Sequence, residues 1–505
     1  MAKRYWPETV ILWGAGATKA LGLYATKELV EIVLKIGKKD FSFLEKKDET
    51  IKNSFIKLVT EDLIGDSILS KIYDFKALEI IINTNANINM HELFTMLDQL
   101  IENNMGFNAF YQGKTEFLRV ERVIGAKRCL ILLIEELERV SIQEKAGFMD
   151  REKVKPYYEL ANTLTELMKE EALFFDENNY SRDKRKFYLY SYAIISFNWD
   201  AVLLWNIFNS NKKQNADPVS FDDGLRLNLL TDFGTQIATA DINDENFEVS
   251  YAADESQCKA VNNRLFPSRV MRIGKFLFPH GLFGSRICPE CGKYITTFGG
   301  NWDRLSTEVF GPSVYDKLQK NWEYKSVSEL QQKRGAIECP YCGQITYPYD
   351  MPLIMQTLAK RKTIPKLEEV KTEMGLLMKN AKHIIFAGYS LPIDDIMVKT
   401  FFMTSVSGND KNKLKCSVVT YDPDYNCKDK WLYVNDIKKY LGESKRKGPV
   451  DCIRNVCDIF NIENIRVSLK GIPNVFLKDG ECDKDSVIEL LYPEEYFAGG
   501  FPLKR

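Results

Sequence analysis

Five short apolar runs constrain the fold of this chain more than any other feature. They lie at 9–13, 192–197, 274–279, 383–387 and 415–421, and each breaks off into a polar or glycine-containing turn. A run of five to seven mostly apolar residues, rich in Ile, Val and Phe, without polar alternation, predicts a strand covered on both faces. Helical periodicity fills the space between them, at 91–101, 117–140 and 157–174 and in a short stretch at 201–208. Strands alternating with helices over such distances predict an α/β fold around a parallel sheet. The 505 residues exceed one ordinary core, so more than one lobe is expected.

Composition narrows the class. Apolar residues make up 45% and charged residues 28%, as in soluble globular proteins. The net charge of −1 argues against bulk electrostatic attraction to nucleic acid or membrane. No apolar run is long enough for a spanning helix, and the first residues lack a signal peptide's apolar stretch, so a cytoplasmic location is expected. The lysine-rich stretch at 35–52 reads as a solvated surface. Eleven cysteines, an odd count, fit a reducing compartment better than a disulfide framework.

Chemistry concentrates where the apolar runs end. Gly14-Ala15-Gly16-Ala17-Thr18 follows the first run and opens a helical pattern at Lys19. Glycines there let backbone amides approach a pyrophosphate at a helix N-terminus. The third glycine of the usual dinucleotide fingerprint would fall on Lys19, so a plain tight turn is an equally good account of this motif alone. Ser196-Phe197-Asn198-Trp199-Asp200 ends the second run; an amide and a carboxylate two residues apart can address a carboxamide and a ribose, or cap the next helix. Phe278-Pro279-His280-Gly281 ends the third and places one of three histidines where it can act as a general base. His91 and His383 read as structural. Gly388-Tyr389-Ser390-Leu391-Pro392-Ile393-Asp394-Asp395 and Asp422-Pro423-Asp424 follow the last two runs. They offer amides, a hydroxyl and a carboxylate to a nucleotide, or form ordinary turns.

Two matched knuckles, Cys288-Pro289-Glu290-Cys291-Gly292 and Cys339-Pro340-Tyr341-Cys342-Gly343, give the strongest single signal. Four thiolates satisfy tetrahedral zinc, and a closed site of this kind is structural. The stretch between the pairs is longer than the roughly 15–20 residues common in such modules, so residues 293–338 are an insertion within it.

In this order the motifs resemble the sirtuin family, and the Gly-Tyr-Ser-Leu-Pro form with a following Asp is closer to bacterial sirtuin-like proteins of phage defence than to the protein deacylases. The resemblance covers about half the chain: 8–30, 190–290, 339–345 and 380–425. It implies a Rossmann-like parallel sheet with a structural zinc module and a large helical insertion. The expected division is 1–30, 190–285 and 345–425 for three parts of the Rossmann domain, 31–189 for the helical insertion, 286–344 for the zinc module, and 426–505 for an extension without assigned role. It also implies roles: Gly14, Ala15, Gly16, Ala17 and Thr18 at the pyrophosphate; Asn198 at the nicotinamide ribose or an attacking water; Asp200 at the nicotinamide amide; His280 as general base; Gly388, Ser390 and Asp422 along the adenosine half; Cys288, Cys291, Cys339 and Cys342 on zinc.

Departures from the deacylases are specific. Leu23-Tyr24-Ala25-Thr26-Lys27 stands where they carry Pro-Asp-Phe-Arg, Phe197 where they carry Gln, and Thr346-Tyr347-Pro348-Tyr349-Asp350 where a Phe-Gly-Glu segment lines their acyl-lysine channel. The NAD elements are retained and the peptide channel is lost. The resemblance therefore implies an NAD hydrolase that releases nicotinamide and ADP-ribose. Such an enzyme would be gated, act in antiphage defence by NAD depletion, form a homo-oligomer through 31–189, and pair with a DNA-translocase ATPase or a short Argonaute. A protein deacylase and a non-enzymatic NAD or ADP-ribose sensor are the alternatives. Retention of both Asn198 and His280 argues against the sensor.

Overall fold

The computed structural model describes residues 4–5, 7–24, 26–65, 69–85, 88–179, 188–217, 226–232, 236–240, 247–250, 269–299, 303–310, 337–339, 342, 344–346, 351–353, 365–391, 396–407, 414–425 and 430–492. Residues 392–395, 340–341, 343 and 347–350, named above, lie outside them.

All five apolar runs are strands of one sheet. In chain order its members are β1 (Arg4–Tyr5), β2 (Thr9–Trp13), β3 (Tyr188–Ser196), β4 (Arg226–Asp232), β5 (Arg269–Leu277), β6 (His383–Ala387), β7 (Lys415–Val419) and β8 (Ile465–Ser468). They lie side by side as β8-β7-β6-β2-β3-β5-β4, with β1 also on β3. Every pairing is parallel. The fold is thus α/β around a parallel sheet. Three strands, β1, β4 and β8, were not expected. β1 is two residues long, β4 lies among polar, asparagine-containing sequence, and β8 lies in the extension beyond 426, where Ile465-Arg466-Val467-Ser468 alternates apolar and polar residues although all four are buried.

The central strands are mostly apolar because both faces are covered. Ile11, Trp13, Ile194, Ile385 and Val419 point into one core, while Val10, Leu12, Ala193, Ile195, Ile384, Phe386 and Val418 point into the other. This is the period-two alternation of a pleated strand with an apolar layer on each side. The first core is filled by the helices between β2 and β3, among them Phe75–Thr84, α1 (Met90–Glu102), α2 (Val120–Ile142) and α3 (Arg151–Asn179), and by α4 (Val202–Ala216). The second is filled by Pro365–Asn380, Ile396–Ser407, Val434–Glu443 and α5 (Lys447–Cys457).

Two local differences from the sequence reading have plain causes. The helical pattern from Lys19 stops within a turn, because Gly22 sits at φ +86° and closes a short 3₁₀ turn; the helix restarts at Thr26. The 117–140 helix begins at Val120, because Phe107–Tyr111 and Lys114–Leu118 form a hairpin whose turn residues Gln112 and Gly113 both have positive φ. Among the described residues no helix is long and apolar enough to cross a membrane.

Candidate active site

Register places the motifs together. Trp13 pairs with both Ser196 and Ala387, Ala387 with Val419, Val419 with Ser468, and Leu277 with Ile195. The carboxyl ends of six neighbouring strands therefore lie at about one level, and their loops leave along one edge. β2 runs on to β3 on one side, and β6 to β7 on the other. That reversal is where open parallel sheets leave a crevice. A cavity of about 800 Å³ occupies it. Ala15, Gly16 and Thr18, Asn198 and Asp200, His280, and Gly388 and Ser390 line it together.

The glycines serve a close approach of backbones. The Gly14 amide donates to the Ala387 carbonyl at 3.0 Å, and the Gly16 amide to the Gly388 carbonyl at 2.9 Å. A Cβ on Gly388 would lie 2.1 Å from the Ala17 nitrogen, and one on Gly16 would lie 2.8 Å from the Gly388 oxygen. Gly388 also has φ +63°, which glycine alone adopts without strain. Two amides of the motif thus bind the neighbouring loop. The hydroxyl of Tyr157, from α3, donates to the Ala17 carbonyl at 2.6 Å and fixes the turn from beneath.

Asn198 is buried, and its side-chain amide donates to Thr18 Oγ1 at 3.1 Å, which ties the β3 end to the glycine turn. Asp200 accepts from the Val202 amide at 3.1 Å at the start of α4. Both accounts of this motif therefore meet in one residue: Asp200 orders a helix start and lines the cavity. Burial raises its pKa to about 6, against the lowering by the Val202 amide and the Asn198 side chain. His280 is buried at the β5 end, with Nδ1 3.2 Å from the Phe197 carbonyl. A carbonyl only accepts, so Nδ1 carries the hydrogen and Nε2 is the basic nitrogen of the neutral ring. Phe197 stacks on Tyr389 with ring centroids 4.0 Å apart and meets His280 edge-on at 5.3 Å. An aromatic wedge thus stands beside His280 at the end of β3.

Asp422 is buried; its carboxylate accepts from Tyr440 Oη at 2.6 Å and from the Asp424 amide at 3.1 Å. Thr420 and Tyr421 line the cavity at that strand end. The other two histidines differ in what the structure describes. His383 is enclosed, its Nδ1 donating to the Leu491 carbonyl and its Nε2 paired with Ser417, and burial pushes its pKa down to about 3. His91 lies within helix Met90–Glu102.

Several wall residues had no sequence signal. Arg446, Gly448, Pro449 and Cys452 come from the start of α5, and Gly471 and Ile472 from the loop after β8. Asn455 of α5 holds the Gly388–Ser390 loop through the carbonyls of Ser390 (3.3 Å) and Leu391 (3.0 Å). Glu138 reaches the cavity from the last turns of α2. On sequence it is one acidic residue in an amphipathic helix, and only the packing of α2 on the sheet brings it here.

The four knuckle cysteines also converge. Their Sγ atoms lie within 4.8 Å of one another, with Cys288 to Cys342 at 3.5 Å and Cys291 to Cys339 at 3.6 Å. A tetrahedron with metal–sulfur bonds of about 2.3 Å has edges of about 3.8 Å, so the group can hold zinc. Each knuckle is closed by its own backbone: Cys288 N–H donates to the Lys293 carbonyl, and Cys339 N–H to that of Gln344.

No known protein-family model matches this chain, and no curated protein does.

Proposed function

We propose that this chain is a sirtuin-like NAD hydrolase on a Rossmann-like sheet, releasing nicotinamide and ADP-ribose. One observation carries the reading. Four motifs, distant in sequence, meet at the carboxyl edge of adjacent parallel strands around one cavity, with Asn198, Asp200 and His280 on its wall. That volume is in the range of small-molecule sites.

The chemistry follows from the residues. The C1′–N bond of NAD breaks, and the electron pair leaves with nicotinamide. Positive charge develops at C1′, and the fixed Asn198 dipole lies in the wall available to stabilise it. The basic Nε2 of His280 accepts the proton of a ribose hydroxyl while charge develops at C1′ and returns it once water has added, so the histidine ends unchanged. Water adds to C1′ and releases a proton to the medium. Asp200 addresses the carboxamide of the departing ring. Ala15, Gly16 and Thr18 border the phosphates, while Gly388, Ser390 and the Asp422 turn border the adenosine half. Cys288, Cys291, Cys339 and Cys342 would hold one zinc, which supplies folding free energy. Within the same reading the enzyme is gated, oligomeric, cytoplasmic and active in antiphage defence, with a translocase ATPase or short Argonaute as partner.

Incubating the purified chain with NAD and quantifying nicotinamide, with and without candidate activators, tests this. Nicotinamide with equimolar ADP-ribose is the expected result. Acetate release from an acetyl-lysine peptide would mark a deacylase instead. NAD binding without turnover under every condition would mark a sensor.

A further inference from the structure

We infer that Glu138 and Asp200 form a donor–acceptor pair for the carboxamide of the pyridine ring, so that the site selects the amide form of the dinucleotide over its nicotinic acid counterpart. This rests on the NAD reading above and adds to it a specificity-determining residue from a part of the chain that the family chemistry does not require.

The argument starts from an incomplete polar group. Glu138 lines the cavity with Asn198, Asp200 and His280, yet it stands on α2, a helix of the large segment between β2 and β3. Its Oε2 is fully enclosed and has no hydrogen-bond partner among the described residues. Leaving such an atom unmatched is costly, and groups of this kind mark places where a ligand completes the network. The adjacent Arg139 does not supply the match; its guanidinium lies 3.8 Å from Glu135 and 3.6 Å from Glu136.

Electrostatics then sets the proton count. Burial, the Asp200 charge and Glu135 all hold the Glu138 carboxyl well above the ordinary carboxylate range. Tyr157, also buried near Asp200, is neutral and donates elsewhere. Two carboxyls on one cavity wall whose charges oppose each other do not both ionise, so near neutral pH the pair holds one proton, on Glu138. It therefore presents one O–H donor and one carboxylate acceptor. A primary carboxamide presents the complement, a carbonyl acceptor and N–H donors. A carboxylate ligand has no N–H to give and would bring a second negative charge into the site beside Asp200.

Binding of NAD and of nicotinic acid adenine dinucleotide to the full chain, measured by calorimetry, tests the pair. Wild type should prefer NAD by about a hundredfold, from one lost hydrogen bond and one unfavourable charge. Glu138→Gln, which keeps a neutral donor and an acceptor, should retain most of that preference. Glu138→Ala should weaken NAD about tenfold and narrow the preference. Wild-type affinity and preference in Glu138→Ala would overturn the inference, as would loss of both in folded Glu138→Gln. Should Glu138→Ala not fold, the wild-type preference and the Gln variant decide alone. A wild-type chain that hydrolyses NAD without discriminating the acid form refutes this pair only. A chain that binds neither dinucleotide under any condition refutes the NAD reading itself.

Discussion

Replacing Asp200 by Asn separates what the site needs from what the fold tolerates. The carboxyl is enclosed at the end of β3, and burial raises its pKa from 3.8 to about 6. For an acid, a raised folded-state value means that the native state holds the proton more tightly than the unfolded chain. Stability then falls as pH rises from about 4 to about 6 and stays reduced above that. The difference corresponds to about 3 kcal/mol at pH 8. Asp200→Asn removes this ionisation, while the side-chain oxygen still accepts from the Val202 amide, a bond of 3.1 Å in the native protein. Urea denaturation followed by circular dichroism should show Asp200→Asn more stable than wild type by up to about 3 kcal/mol at pH 8, with a smaller gap at pH 5. NAD turnover should be lost in the same variant, because the carboxylate acceptor for the carboxamide is gone. A variant less stable than wild type at pH 8, by an amount independent of pH, would refute the argument that Asp200 is a destabilising charge held for function.

Three further outcomes are expected. Elemental analysis should find about one zinc per chain, and Cys288→Ser or Cys339→Ser should yield unfolded or insoluble protein, since three thiolates forfeit much of the metal's folding free energy; well-folded protein without metal would contradict this. Gly388→Ala should destabilise by about 3 kcal/mol or more, read as a fall in melting temperature, because its Cβ would sit 2.1 Å from the Ala17 nitrogen at a positive φ. Asn198→Ala should slow nicotinamide release by about two to three orders of magnitude, and His280→Ala by about 10²–10⁴, with little change in melting temperature; an activated double variant with the wild-type rate would dismiss the mechanism.

The sequence by itself determined the sheet and its chemistry-bearing edge. A strand buried on both faces must be mostly apolar, so β2 and β6 stood out with their bounds intact, and their polar successors marked the loops. The cysteine pairs were equally legible, because four soft ligands in two knuckles leave a local signature that an intervening insertion does not erase. What the tertiary structure alone decided lies where no local pattern exists. β8 is half polar although all four residues are buried, because Arg466 is held by Ser417 and the carbonyls of Glu489 and Leu490, and only its ladder partner β7 identifies it. The glycines of the first turn read as phosphate ligands on sequence, and the structure adds that two of their amides bind the β6 loop, a contact between residues more than 370 positions apart. Glu138 had no signal at all. Its place on the cavity wall with Asp200 is set by tertiary packing, and its carboxyl oxygen is known to be unmatched only once its neighbours are.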